Sequence, residues 1–221
     1  MIMGSAILWH SDFDGFDGSA FDILFSMLSM LYSAEEVLAM DIIPPVFTVE
    51  NLAQLPCDGK RYEILEADLV LSPSPKPKHQ RTVLNCADFF RTLEQYGLGQ
   101  VYTAPLDVVL DRFNVVEPDV LFIRQDCLNI VTDANVQGAP DLVVEVLSLS
   151  TRERDLNVKA RLYARFQISE YWIVDPDADT LTIYRLVPEG YQLVGTFRFG
   201  DNVISPLFPD LPLSVAEIFR A

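Results

Sequence analysis

The chain has 221 residues, of which half are apolar and 22% are charged. This length suits one domain with a full hydrophobic core and an appendage, and it excludes two ordinary domains with separate cores. The apolar fraction excludes disorder over most of the chain. The net charge of −16 argues against unaided binding to nucleic acid, because phosphate contacts come mainly from Lys and Arg.

The negative charge is spread unevenly along the chain. Residues 1–45 contain seven acidic residues and neither Lys nor Arg, so the remaining residues carry a net charge of −9. Basic residues cluster in two local runs: Lys76, Lys78, Arg81 and Arg91 in the first, and Arg152, Arg154, Lys159, Arg161 and Arg165 in the second. A partner that approaches only these two faces would meet a positive surface.

The first 45 residues differ in composition from the rest. Repeated Asp-Gly steps precede an apolar stretch, and Pro44-Pro45 marks the boundary, so we predict an acidic leader at 1–45 and one domain at 46–221. Asp12 to Gly18 partly matches a calcium loop, but the ligand spacing differs and no glutamate closes it, which favours a flexible acidic leader. The apolar stretch at 21–32 lacks a basic flank and is too short to cross a bilayer, so no signal peptide or membrane segment is predicted.

The three cysteines, Cys57, Cys86 and Cys127, are widely spaced and form no C-x-x-C pair. Their spacing excludes a zinc or redox motif of that type. We therefore predict reduced thiols and a cytoplasmic location.

Strands outnumber helices from Phe47 onward. Apolar patterning predicts strands at 61–71 (one or two strands), 101–110, 119–124, 141–147, 170–175, 180–186 and 191–199. Helical spacing predicts helices at 79–96 and 150–166, and segment 206–219 should end in a short amphipathic helix. This order predicts an α/β fold with α+β character, in which a mixed sheet is flanked by a few helices.

Two acidic residues lie on apolar strands. Glu145 lies inside the otherwise apolar run Leu142–Leu147, where an isolated charge would be very costly, so it must be protonated, ion-paired or bound to a metal. Asp119 begins the apolar run Val120–Ile123. Two such carboxylates suit Mg²⁺, which takes one or two carboxylates and keeps its other positions for water and phosphate.

Lys159 is predicted to point inwards from the second long helix. At about 100° per residue from Leu156, Lys159 falls beside Tyr163 on the apolar face. Arg161 and Arg165 fall on the opposite side. A lysine turned towards a sheet usually has a carboxylate or a bound anion as its partner.

The strand that carries Glu145 leads directly into this helix, so Asp119, Glu145 and Lys159 are expected to converge. The residue types leave two interpretations open. The three could form a metal-dependent catalytic site, or Glu145 and Lys159 could form a buried structural salt bridge while Asp119 simply begins a strand.

A longer series of motifs runs through the chain in order: Arg61-Tyr-Glu-Ile-Leu-Glu66, Ser72-Pro-Ser-Pro75 with His79-Gln80, Ala104-Pro-Leu-Asp-Val-Val109, Glu117-Pro-Asp119, Ala139-Pro-Asp-Leu-Val-Val-Glu-Val-Leu-Ser148, Ser150-Thr-Arg152, Asp155, Lys159, Tyr163 and Glu170-Tyr-Trp-Ile-Val-Asp-Pro176. Over residues 47–220 this series resembles the Uma-two family (Uma2, DUF820) of restriction-endonuclease-like proteins. An ordered series is much more specific than any one motif.

The resemblance implies the PD-(D/E)xK nuclease fold, a mixed sheet that presents acidic residues to magnesium with a lysine nearby. In the usual pattern the lysine stands two residues after the second acid, a position that Leu147 occupies here. The family pattern takes the lysine from the following helix instead, and Lys159 is the matching residue. Glu63 matches an additional upstream acid of the site.

The implied activity is hydrolysis of phosphodiester bonds in nucleic acid, with DNA as the expected substrate. Mg²⁺, with Mn²⁺ as a substitute, would be held by Asp119, Glu145 and the carbonyl of Val146. Lys159 would orient the nucleophile or stabilise charge on the phosphate oxygens. His79 and Gln80 match family positions and are expected to lie beside the site, where packing or hydrogen bonding at the helix start is the alternative role.

Tyr171 and Trp172 lie in an apolar strand and are expected in the core rather than as a platform for stacked bases.

A homodimer is expected, because two copies of one site related by a two-fold axis could cut both strands of a DNA duplex. The alternative function is a non-catalytic interaction or regulatory module that retains the nuclease scaffold, which the acidic balance favours.

Overall fold

The computed structural model describes residues 45–56 and 58–220, and the chain from Pro45 onward forms one compact unit. Residues 1–44 of the predicted leader, including its calcium-loop alternative, lie outside the described residues. The strands are β1 (Arg61–Leu65), β2 (Asp68–Ser72), β3 (Gly99–Thr103), β4 (Val108–Asp111), β5 (Asn114–Val116), β6 (Val120–Arg124), β7 (Val136–Gln137), β8 (Leu142–Val146), β9 (Glu170–Asp175), β10 (Thr180–Val187), β11 (Gly190–Arg198), β12 (Asn202–Ser205) and β13 (Phe208–Ser214). The helices are α1 (Val49–Leu52), α2 (Pro77–Gln95), a 3₁₀ helix (Gln125–Ile130), α3 (Arg152–Arg154), a π-helical turn (Asp155–Lys159), α4 (Ala160–Arg165) and α5 (Val215–Ile218).

The larger sheet has six strands in the order β11-β10-β9-β8-β6-β3. β8 and β9 are parallel, and the other neighbours are antiparallel. Every residue of β8 is buried, as expected for a central strand covered on both faces. The sequence prediction of an α/β fold with a mixed sheet is confirmed.

A second sheet of five strands, in the order β2-β1-β5-β4-β7, was not separated from the first by the sequence patterns. The prediction of continuous strand over 101–110 is wrong in its middle, because β3 and β4 belong to different sheets and residues 104–107 connect them. Pro105 lies in this connection, and a proline there has no N–H to donate to a ladder.

The six-stranded sheet is covered on both faces, because alternate residues of β6 pack in two different core clusters. Val120 and Phe122 pack in one core cluster with Phe90 of α2, whereas Leu121 packs in a second cluster with Tyr163 of α4. Residues of the five-stranded sheet also belong to the second cluster. The larger sheet therefore lies between α2 and a layer formed by α4 and the smaller sheet.

The C-terminal segment differs from its prediction. β12 and β13 form an antiparallel hairpin, and α5 follows directly. The short terminal helix was predicted, but the strand before it was missed because its two prolines, Pro209 and Pro212, interrupt the alternating pattern.

Other sequence expectations concern single residues. Tyr171 and Trp172 are each 1% exposed, so their assignment to the core is confirmed. Cys86 is buried and Cys127 half-buried, and both are free thiols. No helix among the described residues combines the length and apolar character that crossing a membrane requires.

Candidate active site

Asp119 and Glu145 lie close together at the end of the β6–β8 ladder, along the edge of the six-stranded sheet that is formed by strand ends. β6 and β8 run antiparallel, and their ladder ends where Val120 pairs with Val144. Asp119, one residue before Val120, therefore lies beside the end of β8. Its Oδ2 accepts a hydrogen bond of 2.9 Å from the Val146 N–H. The antiparallel register thus brings together two acids that are 26 positions apart in the sequence.

Glu63 joins this edge from the five-stranded sheet. Its side chain is 1% exposed, and Oε1 accepts a hydrogen bond of 2.9 Å from the Glu117 N–H. Ser72, at the end of the neighbouring strand β2, donates from Oγ to the other carboxylate oxygen of Glu63 over 3.2 Å. The candidate site therefore lies where the two sheets meet.

Lys159 connects the acids of both sheets. Its Nζ lies 2.9 Å from Glu145 Oε1 and 2.9 Å from Glu63 Oε1, and the side chain is 5% exposed. The prediction that Lys159 points from its helix towards the sheet is confirmed. Arg161 and Arg165 are exposed, as the same helical period predicted.

The helix that carries Lys159 widens into a π-helical turn over Asp155–Lys159, which regular α-helical spacing could not predict. The turn brings Asp155 inwards, 2% exposed, with Oδ1 at 3.9 Å from Lys159 Nζ. Leu156, from which the apolar face was counted, is 39% exposed. Asp155, rather than Leu156, therefore faces inwards at the start of the turn.

Tyr163 fixes the orientation of Glu145. The Tyr163 hydroxyl donates to Glu145 Oε1 over 2.6 Å, and Lys159 donates to the same oxygen over 2.9 Å. Oε2 is used by neither donor. The carboxylate is therefore anchored through one oxygen, and the second remains for another ligand.

The electrostatics of the site follow from one ammonium among several buried carboxylates. Burial raises the pKa of the Glu145 carboxyl to about 8, despite the opposing effect of Lys159, and the nearby charges of Asp155 and Asp119 add to the rise. Burial alone would lower the pKa of Lys159, but Glu145 and Glu63 outweigh it and raise that pKa above the ordinary lysine value. Burial thus favours the neutral form of Glu145, whereas Lys159 is held in its charged form.

The other two acids are shifted in the opposite direction. Burial acts against the charged form of Glu63, but Lys159 and the Glu117 N–H bring its pKa below the ordinary value. Burial is likewise outweighed at Asp119, where His79 and the Val146 N–H lower the pKa. Glu63 and Asp119 are therefore the more firmly ionised members of the cluster.

His79 and Gln80, on the first turn of α2, are placed differently. His79 is 8% exposed, and its Nε2 lies 3.2 Å from Asp119 Oδ2. The other ring nitrogen, Nδ1, is buried and has no hydrogen-bond partner within the described part of the chain. Gln80 is exposed and is not brought to the cluster. Of this pair, His79 alone contacts a carboxylate of the site.

Val146 can contribute through its backbone. In an extended strand the N–H and C=O of one residue point to the same edge, so the Val146 carbonyl lies on the side where its N–H contacts Asp119. Across residues 45–56 and 58–220, no three His, Cys, Asp or Glu side chains are arranged to hold a metal ion together. The candidate ligand set consists instead of two carboxylates and a carbonyl, which suits Mg²⁺ with its remaining positions held by water.

Sequence reasoning gave no role to Arg61 or Glu117. Arg61 donates from Nε to Glu117 Oε2 over 2.8 Å, from Nη2 to the Glu117 carbonyl over 2.7 Å, and from Nη1 to Asp119 Oδ1 over 3.5 Å. Period-two spacing from Glu63 could have placed Arg61 on the same face of β1. Asp155 could likewise have been found from its position four residues before Lys159.

Comparisons with known proteins place the chain in a family. A family model described as "Putative restriction endonuclease", Uma2, matches residues 49–216. A solved structure described as a "putative nuclease belonging to DUF820" from Anabaena variabilis ATCC 29413 is 18% identical, with a TM-score of 0.66. The match covers 78% of this chain and 97% of that one, and it shows a shared fold. No protein in the curated set matches. Because the family model covers most of the chain, including Glu63, Asp119, Glu145 and Lys159, the chain belongs to the Uma2 family.

Proposed function

We propose that the chain is a metal-dependent nuclease that hydrolyses phosphodiester bonds in nucleic acid, with DNA as the expected substrate. The observation that carries this proposal is the convergence of Glu63, Asp119, Glu145 and Lys159 at one sheet edge, with Lys159 Nζ at 2.9 Å from two of the acids. An acid pair on adjacent strands with a lysine beside it supplies the groups that phosphodiester hydrolysis needs.

The charges of the cluster support a bound cation. Asp155 is a fourth buried carboxylate, and burial raises its pKa while Asp119 and Glu63 add to the rise. The pKa values of Glu145 and Asp155 stay raised although Lys159, Arg61 and Arg154 lie beside the cluster, so a divalent ion would favour the ionised forms of these two acids. Asp119, the Oε2 atom of Glu145 and the Val146 carbonyl would hold Mg²⁺ or Mn²⁺. The ion would activate a water molecule and polarise the phosphate.

Lys159 has a role of its own in this proposal. Its ammonium is held by Glu145 and Glu63, which lie in different sheets, so its position at the edge is well defined. A fixed positive charge in a buried site stabilises negative charge that develops on phosphate oxygens, because little reorganisation is needed. Tyr163 supports this arrangement by holding the shared oxygen of Glu145.

Calorimetric titration with Mg²⁺ and Mn²⁺, together with a plasmid cleavage assay, tests the proposal. Asp119→Asn and Glu145→Gln should each lose metal binding and cleavage. Asp141→Asn is a matched control, because Asp141 precedes β8 at its opposite end, is 9% exposed and pairs with Arg124. Loss of both readouts in the two site variants, with retention in the control, is the expected result. Cleavage that persists in Asp119→Asn and Glu145→Gln would refute the assignment.

A non-catalytic interaction module is the second candidate, and the net charge of −16 favours it. That function requires neither metal binding nor a cluster of buried carboxylates. Wild-type protein that binds neither metal, with or without added DNA, would favour the module. The proposed homodimer remains a separate prediction, which sedimentation of the purified chain can test.

A further inference from the structure

Two arginines beside the carboxylate cluster have no assigned role. Arg61 begins β1, and Arg154 ends α3, directly before the π-helical turn. We infer that Arg61 and Arg154 form the phosphate-binding pair of the site and contact the phosphodiester backbone of a nucleic acid. This inference rests on the proposed function, since it takes nucleic acid as the substrate.

Both arginines lie beside Glu63. Arg61 pairs with Ser72 across the β1–β2 ladder, so the two side chains share a face with Glu63. Arg154 Nη1 donates to Ser72 Oγ over 3.3 Å and lies 3.8 Å from Glu63 Oε2. Arg61 Nη1 lies 3.5 Å from Asp119 Oδ1. Any backbone phosphate that approaches the acids between these residues meets two guanidinium groups.

Their exposure distinguishes these arginines from Lys159. The Lys159 side chain is 5% exposed and already contacts two carboxylates, whereas the Arg61 and Arg154 side chains are 20% and 22% exposed. A guanidinium has five N–H donors in a fixed planar fork. Arg61 uses one N–H each of Nε and Nη2 for Glu117 and one of Nη1 for Asp119, and Arg154 uses one of Nη1 for Ser72. Donors therefore remain on both groups for bidentate contact with phosphate.

Exposure and acidic partners also distinguish Arg61 and Arg154 from Lys78 and Arg152, the other cations near the cluster. Lys78 is 60% exposed and lies 3.7 Å from Asp177, and Arg152 is 52% exposed and lies 2.7 Å from Asp175. Arg61 and Arg154 also pair with acids, but Asp119 and Glu63 of the carboxylate cluster are among their partners. The acidic partners of Lys78 and Arg152 lie instead at and after the end of β9. An acidic protein needs a local positive pair to bind a polyanion, and the arginines beside Glu63 provide one within the site.

Fluorescence anisotropy with labelled duplex DNA and with labelled single-stranded RNA tests the inference. Binding is measured over a range of salt concentrations, in chelator and in Mg²⁺. Arg61→Gln and Arg154→Gln should each weaken binding roughly tenfold and reduce the salt dependence by about one released ion. Arg165→Gln is the matched control, because Arg165 is 51% exposed, pairs with Glu66 and lies on α4 away from the cluster. It should bind as the wild type does.

Arg61 also holds Glu117, so Arg61→Gln could fold poorly. Arg61→Lys keeps the charge but loses the fork, and it should fold normally and bind several-fold more weakly. Wild-type affinity and salt dependence in both Arg61→Lys and Arg154→Gln would overturn the inference, as would failure of the wild type to bind either probe. Cleavage is read in the same Mg²⁺ samples. Arginine-dependent binding without cleavage refutes only the nuclease function, and cleavage with arginine-independent binding refutes only this inference.

Discussion

Lys159 contacts Glu145 across the junction between a strand and the helix that follows it, with Nζ and Oε1 2.9 Å apart. Glu63, on the other sheet, lies at the same distance from the same ammonium. One buried positive charge therefore links the six-stranded sheet, the five-stranded sheet and the helical segment. The stability of this region should depend strongly on that charge.

Lys159→Met should destabilise the protein by about 3–5 kcal/mol, because it leaves Glu63 and Glu145 buried without their cation. Urea unfolding followed by circular dichroism measures the loss. Arg165→Met is the control: Arg165 and Glu66 form an exposed pair, and its loss should change the free energy of unfolding by about 0.5 kcal/mol or less. Equal unfolding midpoints for the two variants would contradict the linking role of Lys159.

Tyr163→Phe should lower the free energy of unfolding by about 1–3 kcal/mol, because its hydroxyl donates to a buried carboxylate over 2.6 Å. Tyr191→Phe removes a hydroxyl that donates to the neutral Ile168 carbonyl over 2.9 Å, and it should cost about 1 kcal/mol. Urea unfolding of the two variants compares them directly. A larger loss in Tyr191→Phe would show that the Glu145 carboxylate adds nothing to the hydrogen bond.

Simple periodicity was enough to predict the direction of Lys159. The helix period placed it on the inward face, and β8 read as a buried central strand because its residues are apolar apart from Glu145. The same period places Asp155, four residues before Lys159, on the same face. Asp155 was missed because the search for carboxylate partners of Lys159 was confined to the strands, and the π-helical turn that carries it has no signal in the sequence.

The contribution of the second sheet was harder to foresee. Glu63 and Glu145 meet across two different sheets, and the chain passes between these sheets at residues 104–107, inside what read as one strand. A period-two pattern gives the faces of a strand but does not identify its sheet. Arg61 was overlooked for the same reason, because its partner Glu117 lies on a neighbouring segment 56 positions away.

Gly99→Ala should be strongly destabilising. A Cβ at Gly99 would lie 2.1 Å from the Ile123 carbonyl oxygen and 2.7 Å from Phe122, at the point where β3 joins β6. The paired backbone there cannot move aside without a large energetic cost, so we expect the free energy of unfolding to fall by about 3 kcal/mol. Gly97→Ala is the control, because its φ of +68° is strained for alanine but no atom lies within 4 Å, and about 1–2 kcal/mol is expected. Thermal unfolding should rank Gly99→Ala below Gly97→Ala, and the reverse order would argue against the close approach of the strands.

The stability of the metal-free protein should fall as the pH rises from 4.5 to about 8. Burial raises the pKa of Glu145 from 4.5 to about 8, so across this range the folded protein binds a proton that the unfolded chain has lost. The free energy of unfolding therefore decreases with pH in this window.

Glu145→Gln carries a neutral amide at every pH and should flatten the pH dependence of stability, whereas Asp141→Asn should keep it. Asp155 and Glu117, whose pKa values are also raised by burial, are unchanged in both variants, so the difference between the curves isolates Glu145. Urea unfolding in chelator at a series of pH values measures these slopes. Parallel curves for wild type and Glu145→Gln would mean that Glu145 stays ionised in the fold and that another group carries the excess proton.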